Sequence, residues 1–325
     1  MRGAFFRGLM DLAAQDDRVY LLVGDLGFGV VEPFMQKFPE RFLNAGVAEQ
    51  NMTGIAAGIA LTGKIVFTYS IANFPILRCL EQVRNDVCYH RANVKIVSIG
   101  GGYSYGALGM SHHATEDLAI LRALPEMTVI APGDPFEAGA ATHAAAAHDG
   151  PCYLRLGRAG EPVVHASNVE FRIGKAIRVR EGDALTLIST GAMLRTTVDV
   201  ADALAARGTP ARVLSMHTLK PLDAEAVLAA ARETGAIVTI EEHSVAGGLG
   251  GTVAECLAES CELRVPFKRL GIPTSFSAPP GTQEYLREQC GLSPKSILRS
   301  LEPLLEAVPA SRFPTRRMTA ARQGA

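Results

Sequence analysis

The sequence has no excess of charge of one sign and no long hydrophobic run. Lys and Arg together number 32 and Asp and Glu 33 among 325 residues, which leaves a formal net charge of −1. A balance this even favours neither nucleic acid nor a membrane surface as a binding partner. No stretch of ~18 apolar residues occurs, and the first residues lack the apolar segment and cleavage site of a signal peptide. We therefore expect no membrane span, no signal peptide and a cytoplasmic location.

The six cysteines are scattered and include no Cys-x-x-Cys pair. Such spacing is typical neither of a zinc site nor of the disulfide framework of a small secreted domain. The sequence therefore predicts incidental thiols in a reducing compartment: Cys79, Cys88, Cys152, Cys256, Cys261 and Cys290.

Short apolar runs alternate with helical patterns in the first half of the chain. The runs are rich in Val, Ile and Tyr and are continuously apolar, which is typical of strands in a parallel sheet covered on both faces. The sequence therefore predicts an α/β domain over 1–165. Its predicted strands span 19–24, 64–69, 94–100, 127–131 and 152–156, and its predicted helices 51–61, 75–90, 115–123 and 135–148.

A linker with little periodicity, 160–172, separates this half from a second α/β alternation. The second domain is predicted over 173–307, and the arginine-rich segment 308–325 is predicted to be a flexible basic tail without a function of its own. The predicted strands of this domain span 184–189, 211–215, 236–241 and 266–271, and the helices 196–207, 224–234 and 252–259.

Glu49 is the first candidate for chemistry. It closes an apolar run, and the small residues at 54–60 that follow predict a tightly packed helix. A carboxylate at such a strand-to-helix junction is poorly solvated, which suits proton exchange. An acidic residue in the first turn of a helix also complements the helix dipole, so the local pattern leaves both roles open.

Five segments follow one another along the first half: FPERFLNAGVAEQN at 38–51, AAGIALTG at 56–63, VFTYS at 66–70, QVRNDV at 82–87 and GMSHH at 109–113. In this order they resemble the pyrimidine-binding domain of the transketolase family of thiamine-diphosphate enzymes. The resemblance extends from about residue 1 to residue 305. It implies a parallel-sheet pyrimidine-binding domain followed by a smaller α/β transketolase C-terminal domain.

The resemblance implies a cofactor site. Glu49 matches the glutamate that hydrogen-bonds N1′ of the aminopyrimidine of thiamine diphosphate, so that N4′ can take the proton from the thiazolium C2. Phe74 is a candidate for the ring stacked on the aminopyrimidine, although a core phenylalanine is the alternative because it lies further from the Tyr-Ser pair than in the family. Tyr69 would line the same pocket. Asp25 matches an aspartate near the cofactor across a subunit interface, and a turn acid is the alternative.

Two histidines, His112 and His113, follow a glycine-rich loop at 100–106. A pair of histidines in a loop before a helix is well placed for proton transfer. Ser111-His112 resembles the family's Thr-His, whose histidine faces the substrate carbonyl. This likeness implies that His112 is catalytic, with His113 as the second candidate.

The resemblance also implies a site for a substrate phosphate. Arg158 matches an arginine that binds the sugar phosphate, and Arg2 is a candidate for a second one; a surface arginine is the alternative for both. Three positions depart from the family, because Gly100, Leu108 and Gly29 stand where a His, an Asp and a phosphate-binding Ser are expected. The cofactor half therefore resembles the family more closely than the substrate half does.

The chain lacks the Gly-Asp-Gly motif that, in this superfamily, helps to hold the Mg²⁺ bound to the cofactor pyrophosphate. We therefore expect no metal ligands here and expect them on a partner. The resemblance implies the C-terminal subunit of a split transketolase that transfers a two-carbon ketol unit between sugar phosphates. An N-terminal subunit with the diphosphate-binding domain would complete it, with homodimerisation in an α2β2 heterotetramer.

Three alternatives remain open from the sequence. The first two are the β-subunit of a 2-oxo-acid dehydrogenase and an enzyme like deoxyxylulose-phosphate synthase. The third is a degenerate scaffold or nucleotide-binding subunit, since the glycines at 247–251 are similar to a nucleotide-binding loop but equally permit close packing. His243, just before them, receives no role.

Overall fold

The chain folds around two sheets, which confirms the predicted α/β class. The structure is a computed structural model and describes residues 1–166, 170–260, 265–276 and 280–307. The predicted basic tail at 308–325 and Cys261 lie outside the described residues. Five cysteines within them are unpaired thiols, as the spacing predicts.

The strands of the first half form most of a seven-stranded sheet. They are β1 (Val19–Val23), β2 (Phe42–Asn44), β3 (Ile65–Ile71), β4 (Val94–Ile99), β5 (Thr128–Ile130) and β6 (Cys152–Leu156). The strand order is β5-β6-β4-β3-β1-β2, and every pair in it is parallel. Apart from β2, almost every residue of these strands is buried, because helices cover both faces of the sheet.

The second half forms a five-stranded sheet and also extends the first. Its strands are β7 (Ile177–Arg180), β8 (Leu185–Ser189), β9 (Ala211–Ser215), β10 (Thr218–Lys220), β11 (Ile237–Ser244) and β12 (Phe267–Ile272). The second sheet has the order β12-β11-β8-β9-β7. Strand β10 leaves it and pairs antiparallel with β5 at the edge of the first sheet. The short strands β2, β7 and β10 are absent from the sequence prediction.

The helices lie on both faces of the sheets. Helices α1 and α7 cover one face of the first sheet, and α3 and α6 contribute to the apolar cluster on the other. The sequence prediction misses α1, α2, α11 and α12. The helices are α1 (Arg2–Gln15), α2 (Glu32–Lys37), α3 (Glu49–Ala60), α4 (Phe74–Leu77), α5 (Leu80–Gln82), α6 (Asp117–Ala123), α7 (Pro135–Ala147), α8 (Leu194–Ala205), α9 (Ala224–Glu233), α10 (Leu249–Glu259), α11 (Gln283–Gln289) and α12 (Pro294–Ala307).

The single helix predicted over 75–90 is wrong. The chain forms α4, breaks at Arg78 and Cys79, and resumes as α5, which continues into a π-helical stretch, Val83–Cys88. The Arg78 carbonyl accepts a hydrogen bond from Gln50 Nε2 at 2.9 Å instead of joining a helical ladder. The break therefore comes from a tertiary contact with α3 that the local pattern does not contain.

No helix in the described part of the chain is long and apolar enough to cross a membrane.

Candidate functional site

The candidate site lies where the parallel strands of the first sheet end. Asp25 follows β1, Glu49 follows β2 through a short turn, and Phe74 follows β3. The glycine-rich loop follows β4, and Arg158 follows β6. Because the carboxyl ends of parallel strands meet at one edge of a sheet, five distant segments of sequence converge there.

The Glu49 carboxylate is buried but lies next to an exposed cation. Glu49 is the first residue of α3 and is 3% exposed. Its Oε2 accepts a hydrogen bond from Arg78 Nη1 at 3.2 Å, and the Arg78 side chain is 52% exposed. This is the one ion pair of Glu49 among the described residues. The pair therefore joins the buried start of a helix to the open edge of the sheet.

Small polar groups surround this carboxylate. A Cβ built on Gly24 would lie 3.5 Å from Glu49 Cγ and 3.8 Å from Ser70 Oγ. The Ser70 hydroxyl is buried and has no hydrogen-bond partner in the described structure. A buried hydroxyl of this kind requires a partner.

Phe74 lies between the Glu49 pair and His112. The guanidinium carbon of Arg78 is 4.2 Å from the centre of the Phe74 ring, on its face. The same ring forms a T-shaped pair with His112, with the ring centres 5.2 Å apart. Phe74 is only partly buried, so the alternative of a core phenylalanine does not describe it. The structure thus brings together three of the predicted residues, Glu49, Phe74 and His112.

Arg78 makes this connection, and sequence reasoning missed it. It lies in a stretch predicted as an uninterrupted helix, where an arginine is an ordinary surface residue. The only signal in the sequence is its position four residues after Phe74, a spacing that places two side chains on one face of a helix.

His112 is held at the edge of the site in a partly buried position. Its Nδ1 lies 3.0 Å from Ser111 Oγ, and Asn73 Nδ2 donates to the Ser111 carbonyl at 2.8 Å. Partial burial lowers the pKa of His112, and the nearby charges of His113 and Arg78 lower it further. The imidazole is therefore neutral near pH 7 and able to accept a proton.

His113 makes a different set of contacts from His112. It is buried, its Nε2 lies 3.2 Å from the Gly106 carbonyl oxygen, and its ring packs edge-on against Tyr103. The structure separates the two adjacent histidines because the backbone becomes extended at His113. His112 is the one beside Phe74, and a catalytic role for His113 stays a prediction.

Asp25 occupies a left-handed turn after β1, with φ of 54°. Its backbone N–H and its Oδ1 bind the Asn44 side chain, each at 3.0 Å. Asn44 Oδ1 also accepts from Gly46 N–H at 3.0 Å. Asp25 thus acts within its subunit as a turn acid, while its exposed side chain remains available to a neighbouring molecule.

Tyr69, predicted to line the cofactor pocket, lies in the apolar core instead. Its ring stacks on Phe5 at 6.0 Å and meets Phe6 edge-on at 5.0 Å, because α1 packs over β3. Burial raises its pKa well above the usual value. Arg2 lies close enough to the hydroxyls of Tyr69 and Tyr105 to lower the pKa of both groups.

Arg158 opens onto a cavity of about 630 Å³ between the two halves of the chain. Its guanidinium carbon is 5.3 Å from the centre of the Tyr105 ring, which also lies 6.3 Å from the His112 ring. Tyr105 therefore connects the histidine to the arginine. The cavity lining also includes Arg195 and Arg287, which pair with Asp199 and Glu242, and the carboxylates Glu161 and Glu284.

Tyr105 also explains why a glycine, Gly100, stands where a histidine is expected for the family. Gly100 has φ of 93°, and a Cβ on it would overlap the Tyr105 ring. A histidine at this position, as expected for the family, would need the volume that Tyr105 occupies. The substrate side is therefore rearranged around Tyr105, while Leu108 is exposed beside it.

A buried ion pair anchors the loop that carries the histidines. Arg155 Nε donates to Asp117 Oδ2 at 2.7 Å, Arg155 Nη2 donates to Oδ1 at 3.2 Å, and the Tyr153 hydroxyl donates to Oδ2 at 2.6 Å. The same guanidinium reaches the carbonyl of Ala114 at 2.7 Å and that of Glu242, in the second half, at 3.1 Å. The end of the loop is thereby fixed to both halves of the chain.

The backbone amides of the glycine-rich segment at 247–251 bind a carboxylate of the chain itself, that of Glu241. Glu241 Oε2 accepts from Leu249 N–H at 2.7 Å, and Oε1 accepts from Gly250 N–H at 2.8 Å. A Cβ on Gly248 would overlap this carboxylate. The first amides of α10 thus bind Glu241 and leave no place for a nucleotide phosphate.

His243 joins the two halves of the chain. Its Nδ1 lies 2.8 Å from the Ser244 carbonyl oxygen, and its Nε2 lies 3.3 Å from Ala119 N, on α6. A neutral ring that donates from Nδ1 and accepts at Nε2 satisfies both contacts. We assign His243 a structural role on this geometry.

The described residues contain no group of three or more His, Cys, Asp or Glu side chains that could hold a metal ion.

Two family models cover the chain. The model described as "Transketolase, pyrimidine binding domain" matches residues 1–161, and the one described as "Transketolase, C-terminal domain" matches residues 174–297. The chain belongs to the transketolase family. The predicted resemblance is thereby confirmed, and members of this family are thiamine-diphosphate-dependent transferases.

Two relatives of similar length are named as transketolase subunits. The chain is 42% identical over 307 residues to "6-deoxy-6-sulfo-D-fructose transketolase subunit SqwH" of Clostridium sp. (strain MSTE9), covering 94% of each chain. It is 40% identical over 274 residues to a subunit of the apulose-4-phosphate transketolase of Phocaeicola vulgatus, covering 84% of this chain and 87% of the relative. A solved structure described as "Split gene transketolase, inactive beta4 tetramer" superposes with a TM-score of 0.87 at 38% identity, covering 95% of this chain and 99% of that one.

Proposed function

We propose that the chain is the C-terminal subunit of a split, thiamine-diphosphate-dependent transketolase that transfers a two-carbon ketol unit between sugars with an anionic end. The observation that carries the proposal is the contiguous set formed by Glu49, Arg78, Phe74 and His112 at the carboxyl edge of the first sheet. A buried carboxylate, a partly exposed aromatic face and a neutral imidazole are the side chains that this reaction needs.

The residues around Glu49 fit one end of the cofactor. Bound thiamine diphosphate would supply the nucleophilic carbon of the reaction. Glu49 would hold a proton at N1′ of its aminopyrimidine, and the orphaned Ser70 hydroxyl would bind a second polar atom of that ring. Phe74 offers a ring face for stacking. His112 would exchange a proton with the substrate oxygen, since its lowered pKa leaves it neutral.

Arg158 is the proposed contact for the anionic end of the substrate. Its guanidinium lies beyond Tyr105 from His112 and opens onto the cavity between the halves of the chain. The Clostridium and Phocaeicola relatives are named for a sulfonated and a phosphorylated sugar, so an anionic end suits both. Arg2, whose charge lies near Tyr69 and Tyr105, is the proposed second contact.

The proposal includes an N-terminal partner subunit with the diphosphate-binding domain and the Mg²⁺ ligands. The Clostridium and Phocaeicola relatives are both named as subunits, which supports the partnership. The solved tetramer of β chains alone is described as inactive, which is the behaviour expected of half an enzyme. An α2β2 assembly and a cytoplasmic location stay predictions.

Calorimetric titration tests the partnership. The purified chain alone should bind thiamine diphosphate and Mg²⁺ negligibly, whereas the chain co-purified with its partner should bind them stoichiometrically. Tight binding of the cofactor by this chain alone would refute the split-subunit proposal.

Substitution of Glu49 tests the chemistry in the assembled complex. Glu49→Gln should slow C2 proton exchange of the bound cofactor, followed by NMR, by ~10²–10⁴-fold because general acid–base catalysis is lost. Glu126→Gln, an exposed carboxylate far along the sequence from the site, is the control and should change nothing. Normal exchange in Glu49→Gln would remove Glu49 from the mechanism.

Substitution of Arg158 tests the substrate class. Arg158→Ala should lower kcat/KM about tenfold to hundredfold for substrates with an anionic end, because a charge-assisted contact is lost. An uncharged analogue should be hardly affected, and Arg84→Ala is the control for the loss of one exposed positive charge. Equal losses for both substrates would make Arg158 structural.

A further inference from the structure

Arg78 touches two of the proposed catalytic groups with different parts of one side chain. Its Nη1 donates to Glu49 Oε2 at 3.2 Å, while its guanidinium plane covers the Phe74 ring at 4.2 Å. His112 forms a T-shaped pair with that ring. Neither the family match nor the names of the relatives assign this residue a role.

The backbone at Arg78 is fixed independently of its side chain. The carbonyl of Arg78 accepts from Gln50 Nε2, and Gln50 follows Glu49 in α3. Helix α4 also ends at this point, so the direction of the Arg78 side chain is not set by a continuous helix. The break between α4 and α5 thus places the guanidinium over the start of α3.

We propose that Arg78 is a positioning residue that holds the Glu49 carboxylate and the Phe74 ring in one arrangement, and so sets the rate of proton exchange at the bound cofactor. This inference rests on the proposed function. The hydrogen bond to Oε2 fixes the rotation of the carboxylate, which directs Oε1 to one place. The contact with the ring face fixes the plane on which the aminopyrimidine would stack.

The contact of Arg78 with Glu49 is suited to positioning the carboxylate rather than to stabilising the fold. The Arg78 side chain is 52% exposed, so water screens its charge, and its pair with Glu49 contributes less to folding than a pair of two buried side chains would. Misplacement of a catalytic group by about 1 Å, in contrast, can cost ~10²-fold in rate. Loss of Arg78 should therefore reduce the rate while leaving the fold intact.

The shape of the guanidinium matters to the proposal. A guanidinium is planar and can donate a hydrogen bond from its edge while it stacks on an aromatic face. A lysine ammonium is a point charge that can reach the carboxylate but has no plane to lie on the ring. Arg78→Lys should therefore keep part of the contribution of Arg78 to the rate of proton exchange, and Arg78→Met should keep none of it.

The experiment measures C2 proton exchange by NMR in the assembled complex with saturating thiamine diphosphate and Mg²⁺. Arg78→Met should slow exchange about tenfold to hundredfold, and Arg78→Lys should lie between it and the wild type. Both variants should keep the wild-type melting temperature. Arg84→Met, an exposed arginine of the same segment that contacts Asn85, should exchange as the wild type does.

Glu49→Gln, measured alongside, separates failure of this inference from failure of the proposed function. Normal exchange in Arg78→Met with slow exchange in Glu49→Gln would overturn the role of Arg78 alone. Normal exchange in both would overturn the proposed function as well. If Arg78→Met changes only cofactor affinity or melting temperature, Arg78 is a binding or structural residue, and the inference is refuted. If Arg78→Met does not fold, Arg78→Lys decides by the same criterion.

Discussion

Replacement of Asp117 by Asn should destabilise the chain strongly, because the substitution removes the anion of a buried ion pair. The Asp117 side chain is 3% exposed and the Arg155 side chain is 5% exposed. Asn keeps the shape of Asp but leaves the Arg155 charge without its counterion, and the Tyr153 hydroxyl loses a charged acceptor. The change tests whether this pair is a structural anchor of the histidine loop.

The expected loss can be estimated from the contacts. Removal of one partner from a buried pair costs ~3–5 kcal/mol. The carbonyls of Ala114 and Glu242 would still accept from Arg155, so we expect the lower end, about 3 kcal/mol. Because Asp117 begins α6 directly after the loop, activity of the assembled enzyme should fall together with stability.

Urea unfolding followed by circular dichroism measures the effect. The midpoint should fall while the dependence of unfolding free energy on urea stays unchanged. Glu126→Gln breaks an exposed pair with Arg91 and should cost less than about 1 kcal/mol. A loss below about 1 kcal/mol for Asp117→Asn as well would show that the buried pair contributes no more than a surface pair, and the proposed anchor would be rejected.

Three further predictions concern groups outside the ion pair. Burial lowers the pKa of Lys95 to about 8 from 10.5, so the folded state binds this proton less tightly than the unfolded chain does. The free energy of unfolding of the wild type, measured in urea relative to that of Lys95→Met, should therefore rise by up to about 3 kcal/mol as the pH rises from about 8 to 10.5. Burial is the largest single influence on the pKa of His165 and lowers it, but the hydrogen bond to Glu137 and the charges of Glu137 and Asp134 together outweigh burial and raise the pKa above 6.5. The advantage of the wild type over His165→Gln in thermal melting should therefore be full below pH 6.5 and decrease as the pH rises through the raised pKa. Gly100→Ala should displace the Tyr105 ring and lower kcat/KM for anionic substrates more than for neutral ones, which steady-state kinetics would measure; an equal effect on both would contradict the proposed path from His112 to Arg158.

Sequence patterns identify the long buried strands well because their physics is local. The stretch 94–99 is apolar apart from Lys95 and Ser98, so its burial in a parallel sheet follows from composition and length. The short strand β10 is different. Its three residues carry no periodic signal, and only the edge of β5 in the other half of the chain makes them a strand.

In the candidate site, too, the sequence identifies some residues and misses those whose position depends on contacts with distant segments. The resemblance selects Glu49 and His112, because it compares whole segments in order. It gives no sign that Tyr69 packs against α1, since that contact depends on a helix absent from the sequence prediction. Nor does it select Arg78, whose role depends on where the helix breaks. Contacts between segments that are far apart in sequence are therefore what the pattern leaves out.

The pairing of β10 with β5 has a consequence for protein engineering. A graft of the C-terminal half from a relative would remove Thr218–Lys220, and the edge of β5 would expose unpaired N–H and C=O groups. It would also remove Lys220, whose ammonium caps the carbonyls of Arg122 and Leu124 at the end of α6. The two halves are thus not interchangeable modules, and a chimera should fold well only if its donor supplies a strand that matches this edge.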